Sequence, residues 1–404
     1  SHGILIEAAT GAMALQPASG VRDLNPQQVQ RNQELRETLA AVFRLWGYEE
    51  VTPPRIERMD TLKAGGAIDS RDIVRLVSDE PLGLRPELTA SIARAACTRL
   101  LERQRPLRLW SCGTVFESRT ADEGGQCIEE NLHCGVELFG GLGVESELEL
   151  FSLLLASLKG LNLNASHQPR LLIGHTSLMD LLLEPFESKQ RHRIRTCLSQ
   201  YDRLGLQELG LERAAYHNLA YWLDRRGSPQ DILNALDAQY PNQMVLKQLQ
   251  RLFTHLRPLA EQLGLTLQLD PTFQPHYELY DGIVLQLVCQ GTSAPVVIAR
   301  GGRYDSLVRR LGGEGTEATG LGFSYCVDDI RDLPGDSITT THEEAAALIC
   351  YGPRQTLESA LQRQMALHQQ GRISVLDHRA CSDHAEALDR LNQSGCDSLE
   401  WIDP

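Results

Sequence analysis

Gly301-Gly302-Arg303-Tyr304-Asp305 is followed about fifteen residues on by Gly320-Leu321-Gly322-Phe323-Ser324-Tyr325-Cys326-Val327. The glycine pair reads as a tight turn with Arg303 and Asp305 as a local ion pair, and the second stretch reads as a strand over 320–325. That strand runs into Cys326-Val327. A thiol and an isopropyl group cannot bind phosphate, whereas an arginine fork binds it bidentately. Upstream, strands are expected around Thr266, over 279–289 and over 294–299. Strands in hairpins with helices between them predict an antiparallel sheet in an α+β domain.

Working back toward the start, Asn25-Pro26 reads as an N-cap followed by proline at the first helical position. The helix is expected to run to about Trp46, where Gly47 ends it. A short strand over 48–52 should stop at Pro53-Pro54, and 71–78 alternates like a hairpin strand. Residues 87–101 read as a helix, 107–116 and 132–139 as two strands joined by a polar loop, and 144–158 as an apolar-faced helix. From about Glu184 to Leu265 the pattern is helical, broken at Arg226-Gly227-Ser228-Pro229, which marks an inserted helical module. Toward the C-terminus, Pro334-Gly335-Asp336 and Thr339-Thr340-Thr341 read as a linker. Beyond it, strands over 345–351, 373–376 and 398–402 alternate with helices over 355–370 and 382–392, so 331–404 is expected to form a small α/β unit. This segment holds 12 Asp plus Glu against 6 Arg and no Lys, about −6, and reads as a solvated acidic surface.

Composition narrows the function classes. At 404 residues the chain is long enough for two or three domains, and its 42% apolar fraction is ordinary for a globular protein. Its most apolar stretch, 148–158, is too short to span a bilayer. Residues 1–19 lack a basic n-region and a long apolar core, so they read as a cloning remnant with a disordered leader rather than a signal peptide. Ten cysteines occur singly without a C-x-x-C pair, which fits a reducing cytoplasm better than a disulfide framework or a zinc site. Twelve histidines show no ligand spacing, so no metal is expected. No Walker-type or G-x-G-x-x-G loop is present. The net charge of −14 argues against a protein that grips tRNA phosphates.

Several motifs in fixed order carry a resemblance. Gly20-Val21-Arg22-Asp23-Leu24 with the long helix and Tyr48-Glu49-Glu50-Val51, Leu84-Arg85-Pro86-Glu87-Leu88-Thr89-Ala90, 107–116, 132–140, Leu279-Tyr280-Asp281-Gly282 and Gly301 to Asp305 together resemble the histidyl-tRNA synthetase family over about 18–330. The resemblance implies a class II aminoacyl-tRNA synthetase-like antiparallel sheet flanked by helices, with the helical insertion at 184–265 and the C-terminal α/β unit attached to it. It implies self-dimerisation through the first motif. It assigns histidine-facing roles to Glu87, Thr89, His133, Glu137, Tyr280 and Arg303, where a carboxylate pair can hold an ammonium and a ring N–H.

The departures from that family fall at its phosphate chemistry. Phe116-Glu117 stands where a Phe-Arg grips the α-phosphate, and Cys326-Val327 where a Glu-Arg opens the final helix. Pro275-His276-Tyr277-Glu278-Leu279 replaces the segment whose arginine serves activation. Asp122, Glu123, Glu129 and Glu130 fill a loop that is basic in the synthetase. A carboxylate against phosphate costs on the order of 4 kcal/mol near a surface, and arginine clamps are worth roughly 10³–10⁵ in rate, so no adenylation and no cofactor are expected. The pattern is similar to the regulatory subunits of ATP phosphoribosyltransferase. That resemblance implies a cytoplasmic, non-catalytic protein that assembles with a short-form catalytic subunit and mediates histidine feedback inhibition in histidine biosynthesis. A divergent active synthetase and another synthetase-like sensing module remain as alternatives. Glu137 read as a surface carboxylate, Tyr280 as a core tyrosine, and His133 and His276 as packing residues are the plainer readings of the same positions.

Overall fold

The structure, a computed structural model, describes residues 15–66, 69–223, 225–276, 278–335 and 344–403. Its contacts divide it into two compact units, Ser1–Thr339 and Thr340–Pro404.

The larger unit opens with α1, Pro26–Leu45. Asn25 and Gln28 cap it reciprocally: the Asn25 side chain accepts from the Gln28 N–H at 2.8 Å and Gln28 Oε1 accepts from the Asn25 N–H at 2.9 Å. Next come β1 (Glu49–Glu50), β2 (Ile56–Arg58), α2 (Met59–Gly65), β3 (Leu82–Leu84) and α3 (Thr89–Cys97). The long strands β4 (Leu107–Thr120) and β5 (Gln126–Phe139) precede α4 (Gly143–Gly160), β6 (Arg170–His175) and α5 (Thr176–Leu183). A helical module follows: α6 (Ser188–Ser199), α7 (Arg203–Glu208), α8 (Arg213–Trp222), α9 (Pro229–Gln239) and α10 (Met244–Leu263). The chain then returns to the sheet through β7 (Thr266–Leu269), β8 (Ile283–Gln290), β9 (Pro295–Arg303), α11 (Asp305–Arg310), β10 (Gly320–Cys326) and α12 (Val327–Arg331).

Eight strands form one sheet in the order β1-β4-β5-β10-β9-β8-β6-β7. Its interior is antiparallel, as expected, but both edges are parallel: β1 pairs with β4 and β6 with β7. The whole helical module separates β6 from β7 in sequence, and a parallel pair needs a crossover of that kind. One face of the sheet buries Val136, Leu285, Phe323 and Tyr325 against Leu39 and Phe43 of α1, Leu154 of α4 and Leu256 of α10, in a single core. The module shares that core through Ile194, Leu219 and Leu236, and Gly227, in its polar break, exchanges two backbone hydrogen bonds with Leu269 of β7. The opposite face carries a smaller cluster of Leu109, Phe139 and Tyr304 under Leu88 and Ile92 at α3, and leaves a cavity beside it.

Several local expectations are corrected. Residues 71–78 form no strand; Arg75 makes one isolated bridge to Gly83. The Asp69 carboxylate accepts from the Arg71 N–H at 3.0 Å and winds a 3-10 turn over Ser70–Asp72, which consumes the start of the segment. Gly301-Gly302 is not a turn but lies inside β9. Leu279-Tyr280-Asp281 precedes β8 as a turn, with the N–H groups of Leu279 and Tyr280 both on the His276 carbonyl. The β4–β5 strands are longer than expected, with a turn between Thr120 and Gln126, so Glu129 and Glu130 stand on a strand rather than in a loop. β6 and α5 lie in a stretch with no sequence expectation. Of the expected leader, 1–14 lies outside the described residues, and the Ser19 carbonyl accepts from the Ile128 N–H at 3.3 Å.

The smaller unit comprises β11 (Ala346–Tyr351), α13 (Leu357–Gln369), β12 (Ile373–Leu376), α14 (His384–Ser394) and β13 (Ser398–Ile402). Its sheet is parallel with order β12-β11-β13, and Ile349 and Leu367 are buried on one face of it and Cys350 and Ala387 on the other. Most of the linker expected after Pro334 lies outside the described residues.

Candidate functional site

The register of three strands lays out the floor of the cavity, whose volume is about 770 Å³. Glu137 of β5 pairs with Gly322 of β10, and Gly322 with Gly302 of β9. Two residues further along, Gly135 pairs with Ser324 and Ser324 with Arg300. The glycines are needed because side chains lie flat over them. A Cβ on Gly322 would stand 2.0 Å from Glu137 Oε2, one on Gly302 would stand 2.7 Å from the Tyr280 ring, and one on Gly320 would stand 2.2 Å from the Tyr304 ring.

Glu137, 3% exposed, lies beneath the cavity and is held by two residues of its lining. Thr89 Oγ1, in the first turn of α3, donates to its Oε1 at 2.8 Å, and the Tyr304 hydroxyl donates to Oε2. Burial pushes the Glu137 carboxyl up to about 8; the two hydrogen bonds pull the other way, and nearby Glu87 adds to the rise. The Glu87 carboxylate accepts from the Ala90 N–H at 3.2 Å, so it rests on the positive end of α3, while burial raises its pKa. The Tyr280 ring lies beside Gly302, and its hydroxyl is raised by burial and by both carboxylates. His133 lies further along β5; burial and the charge of Arg300 push it down to about 4, so it is neutral near pH 7.

The structure therefore brings Glu87, Thr89, His133 and Tyr280 to one cavity, together with His276, while Glu137 lies behind that lining, joined to it through Thr89 and Tyr304. Arg303 is turned out of it. Its guanidinium donates to Glu147 at 3.1 Å, to Ser146 Oγ at 2.9 Å and to Asp305 at 3.2 Å, all beneath the N-terminus of α4 or at the start of α11. Sequence reasoning missed three contributors: Tyr304 as a donor to Glu137, and Ser324 and Arg300 as floor residues. Period-two alternation from Gly302 would have put Arg300 on the cavity face had the glycine pair been read as strand.

At the phosphate-binding positions of the sequence comparison, Val327 is fully buried in the core and opens α12 inward. Asp329, two residues on, lines the cavity instead. Glu117 also lines it, and Arg119 is held by Glu129 at 3.0 Å and Glu117 at 4.0 Å. In the smaller unit Cys350, Asp377 and Cys381 place possible metal-ligand atoms within 4.8 Å of one another. The Arg390 guanidinium already occupies Asp377 at 2.9 Å, and burial pushes the Cys350 thiol up to about 12. That arrangement suits a protonated thiol pair beside an ion pair better than a cation.

A shared core, a concave sheet face and inward carboxylates define a class II synthetase-like protein. Residues 20–330 match the model of the histidyl-tRNA synthetase family. The fold is also similar to the crystal structure of an ATP phosphoribosyltransferase regulatory subunit/histidyl-tRNA synthetase from Bacillus halodurans C, with a TM-score of 0.79 and 22% identity over 96% of this chain and 98% of that one. Among curated relatives, the ATP phosphoribosyltransferase regulatory subunit of Synechococcus sp. (strain WH7803) is 65% identical over 96% of this chain and 100% of its own length. That of Prochlorococcus marinus (strain MIT 9303) is 58% identical over 97% and 100%. The chain belongs to the family of ATP phosphoribosyltransferase regulatory subunits.

Proposed function

We propose that this chain is a non-catalytic histidine sensor that supports and regulates ATP phosphoribosyltransferase in the first step of histidine biosynthesis. In this reading it assembles with a short-form catalytic subunit, dimerises through the region of α1 and β1, and works in the cytoplasm without binding tRNA. The observation that carries the reading is the contrast within one cavity. Glu87 lines the cavity and the buried Glu137 stands behind it, both suited to an ammonium and a ring N–H, while the same lining holds Glu117, Asp329 and an Arg119 already paired with Glu129. Close relatives that carry the regulatory name over their full length support the same reading. So do a net charge of −14 and ten cysteines free of disulfides, and among the described residues no helix is long and apolar enough to cross a membrane.

A site that binds histidine without consuming it controls a partner only through different affinities in two states. Calorimetric titration of the full chain with histidine, and separately with ATP and magnesium, tests this. Histidine heat without ATP heat is expected, and no ATP–pyrophosphate exchange. Exchange activity would replace the reading with a divergent histidyl-tRNA synthetase. Co-purification with the short catalytic subunit, and a dimer in sedimentation, are the expected assembly results.

A further inference from the structure

We infer that Arg300 receives the carboxylate of a free α-amino acid whose ammonium and ring are bound in this cavity. The inference rests on the reading of the cavity as a histidine site and adds the group that recognises the ligand's other end.

Position is the first observation. Ala299 is buried in the main core beneath the sheet, so its neighbour Arg300 emerges on the cavity face, and it is exposed there. A register shift between Leu287 and Val288 of the facing strand lies beside it, the kind of irregularity that re-aims a side chain. Charge is the second. Two arginines line the cavity; Arg119 is held by Glu117 and Glu129, whereas Arg300 forms no ion pair among the described residues. Its charge is nevertheless felt inside the site, at His133 and Tyr280.

The third observation is an unsatisfied donor next door. Ser324 pairs with Arg300 across the strands, lines the cavity, and has a buried Oγ with no hydrogen-bond partner among the described residues. A buried hydroxyl without a partner costs about 1–3 kcal/mol, and a ligand oxygen at this point would satisfy it. The Arg300–Ser324 row lies two residues along the strands from the Glu137–Gly322 row, about 7 Å away. The lining thus offers the carboxylate of Glu87 as well as the cation of Arg300. That combination fits a zwitterion, with the carboxylate taken by the planar fork and the hydroxyl.

The test is calorimetry on the full-length chain with L-histidine and with histamine, which keeps the ring and the ammonium and lacks the carboxylate. Wild type is expected to favour histidine by at least about tenfold. Arg300→Gln should weaken histidine about 10- to 100-fold, the span of a hydrogen bond to a charged group, and leave histamine unchanged. Arg300→Lys should restore part of the difference, and equal melting curves would show that both variants fold. An Arg300→Gln protein that binds histidine as wild type does, or loses both ligands in parallel, overturns the inference while the histidine reading stands. Equal wild-type affinity for the two ligands does the same. A wild type that binds neither ligand overturns the reading itself and the inference with it.

Discussion

At the residue scale the site turns on one proton. Glu137 is held near 8 against an ordinary 4.5, so the native state keeps a proton that the unfolded chain sheds. Its contribution to stability is full below about pH 4.5 and is lost as pH rises through about 8. Glu137→Gln should flatten the pH dependence of urea midpoints across that window; an unchanged slope would mean that Glu137 does not titrate there. A ligand ammonium at this carboxyl favours its ionised form, so histidine binding near pH 7 should release protons. Binding enthalpies in two buffers of different ionisation heat should then differ. Gly322→Ala would place a methyl 2.0 Å from Glu137 Oε2 and 2.4 Å from the Val136 carbonyl. The carbonyl belongs to the paired strand and cannot move aside, so a loss of about 1–3 kcal/mol is expected in denaturant unfolding, together with loss of histidine binding.

At the element scale two devices hold the frame around the cavity. Arg303 ties β9 to the start of α4 through Glu147 and Ser146, with Glu147 only 8% exposed. Arg303→Met should cost about 3–5 kcal/mol, because it strands a buried carboxylate. Adding Glu147→Gln should recover much of the loss, and a single variant as stable as wild type would remove the frame role. The reciprocal cap on α1 is exposed and local; Asn25→Ala should cost about 1 kcal/mol with an unchanged denaturant slope. The β4–β5 hairpin shows why the element matters more than the composition of its tip. Antiparallel pairing sets Glu117 opposite Glu129 and Arg119 opposite Cys127, close enough for Arg119 to be claimed by both carboxylates. Its acidic residues therefore act in pairs on a strand, and the arginine is not left to meet an incoming phosphate.

At the scale of the whole molecule the two units each bury a core of their own, the smaller around Ile349, Cys350 and Leu367. A chain ended after 335 should therefore retain the cooperative unfolding and the histidine binding of the larger unit. Loss of both would show that the smaller unit is needed for its fold.

Sequence alone determined the class of fold and the order of most elements, and through resemblance it singled out Glu117 and Val327. Periodicity, caps and ordered motifs are local signals, and they survive in a linear string. The alternation of the C-terminal unit was legible for the same reason, since each strand and helix there is short, regular and punctuated. The membership of Glu87, Thr89, His133 and Tyr280 in one cavity was legible only through resemblance. Tertiary structure decided the rest. Register placed Gly322 beneath the Glu137 carboxyl and Ser324 beside Arg300, turned the Gly301-Gly302 pair from an expected turn into a strand, and sent Arg303 to α4 instead of the cavity. Those outcomes depend on which residues meet across strands far apart in sequence, and only the paired sheet fixes that.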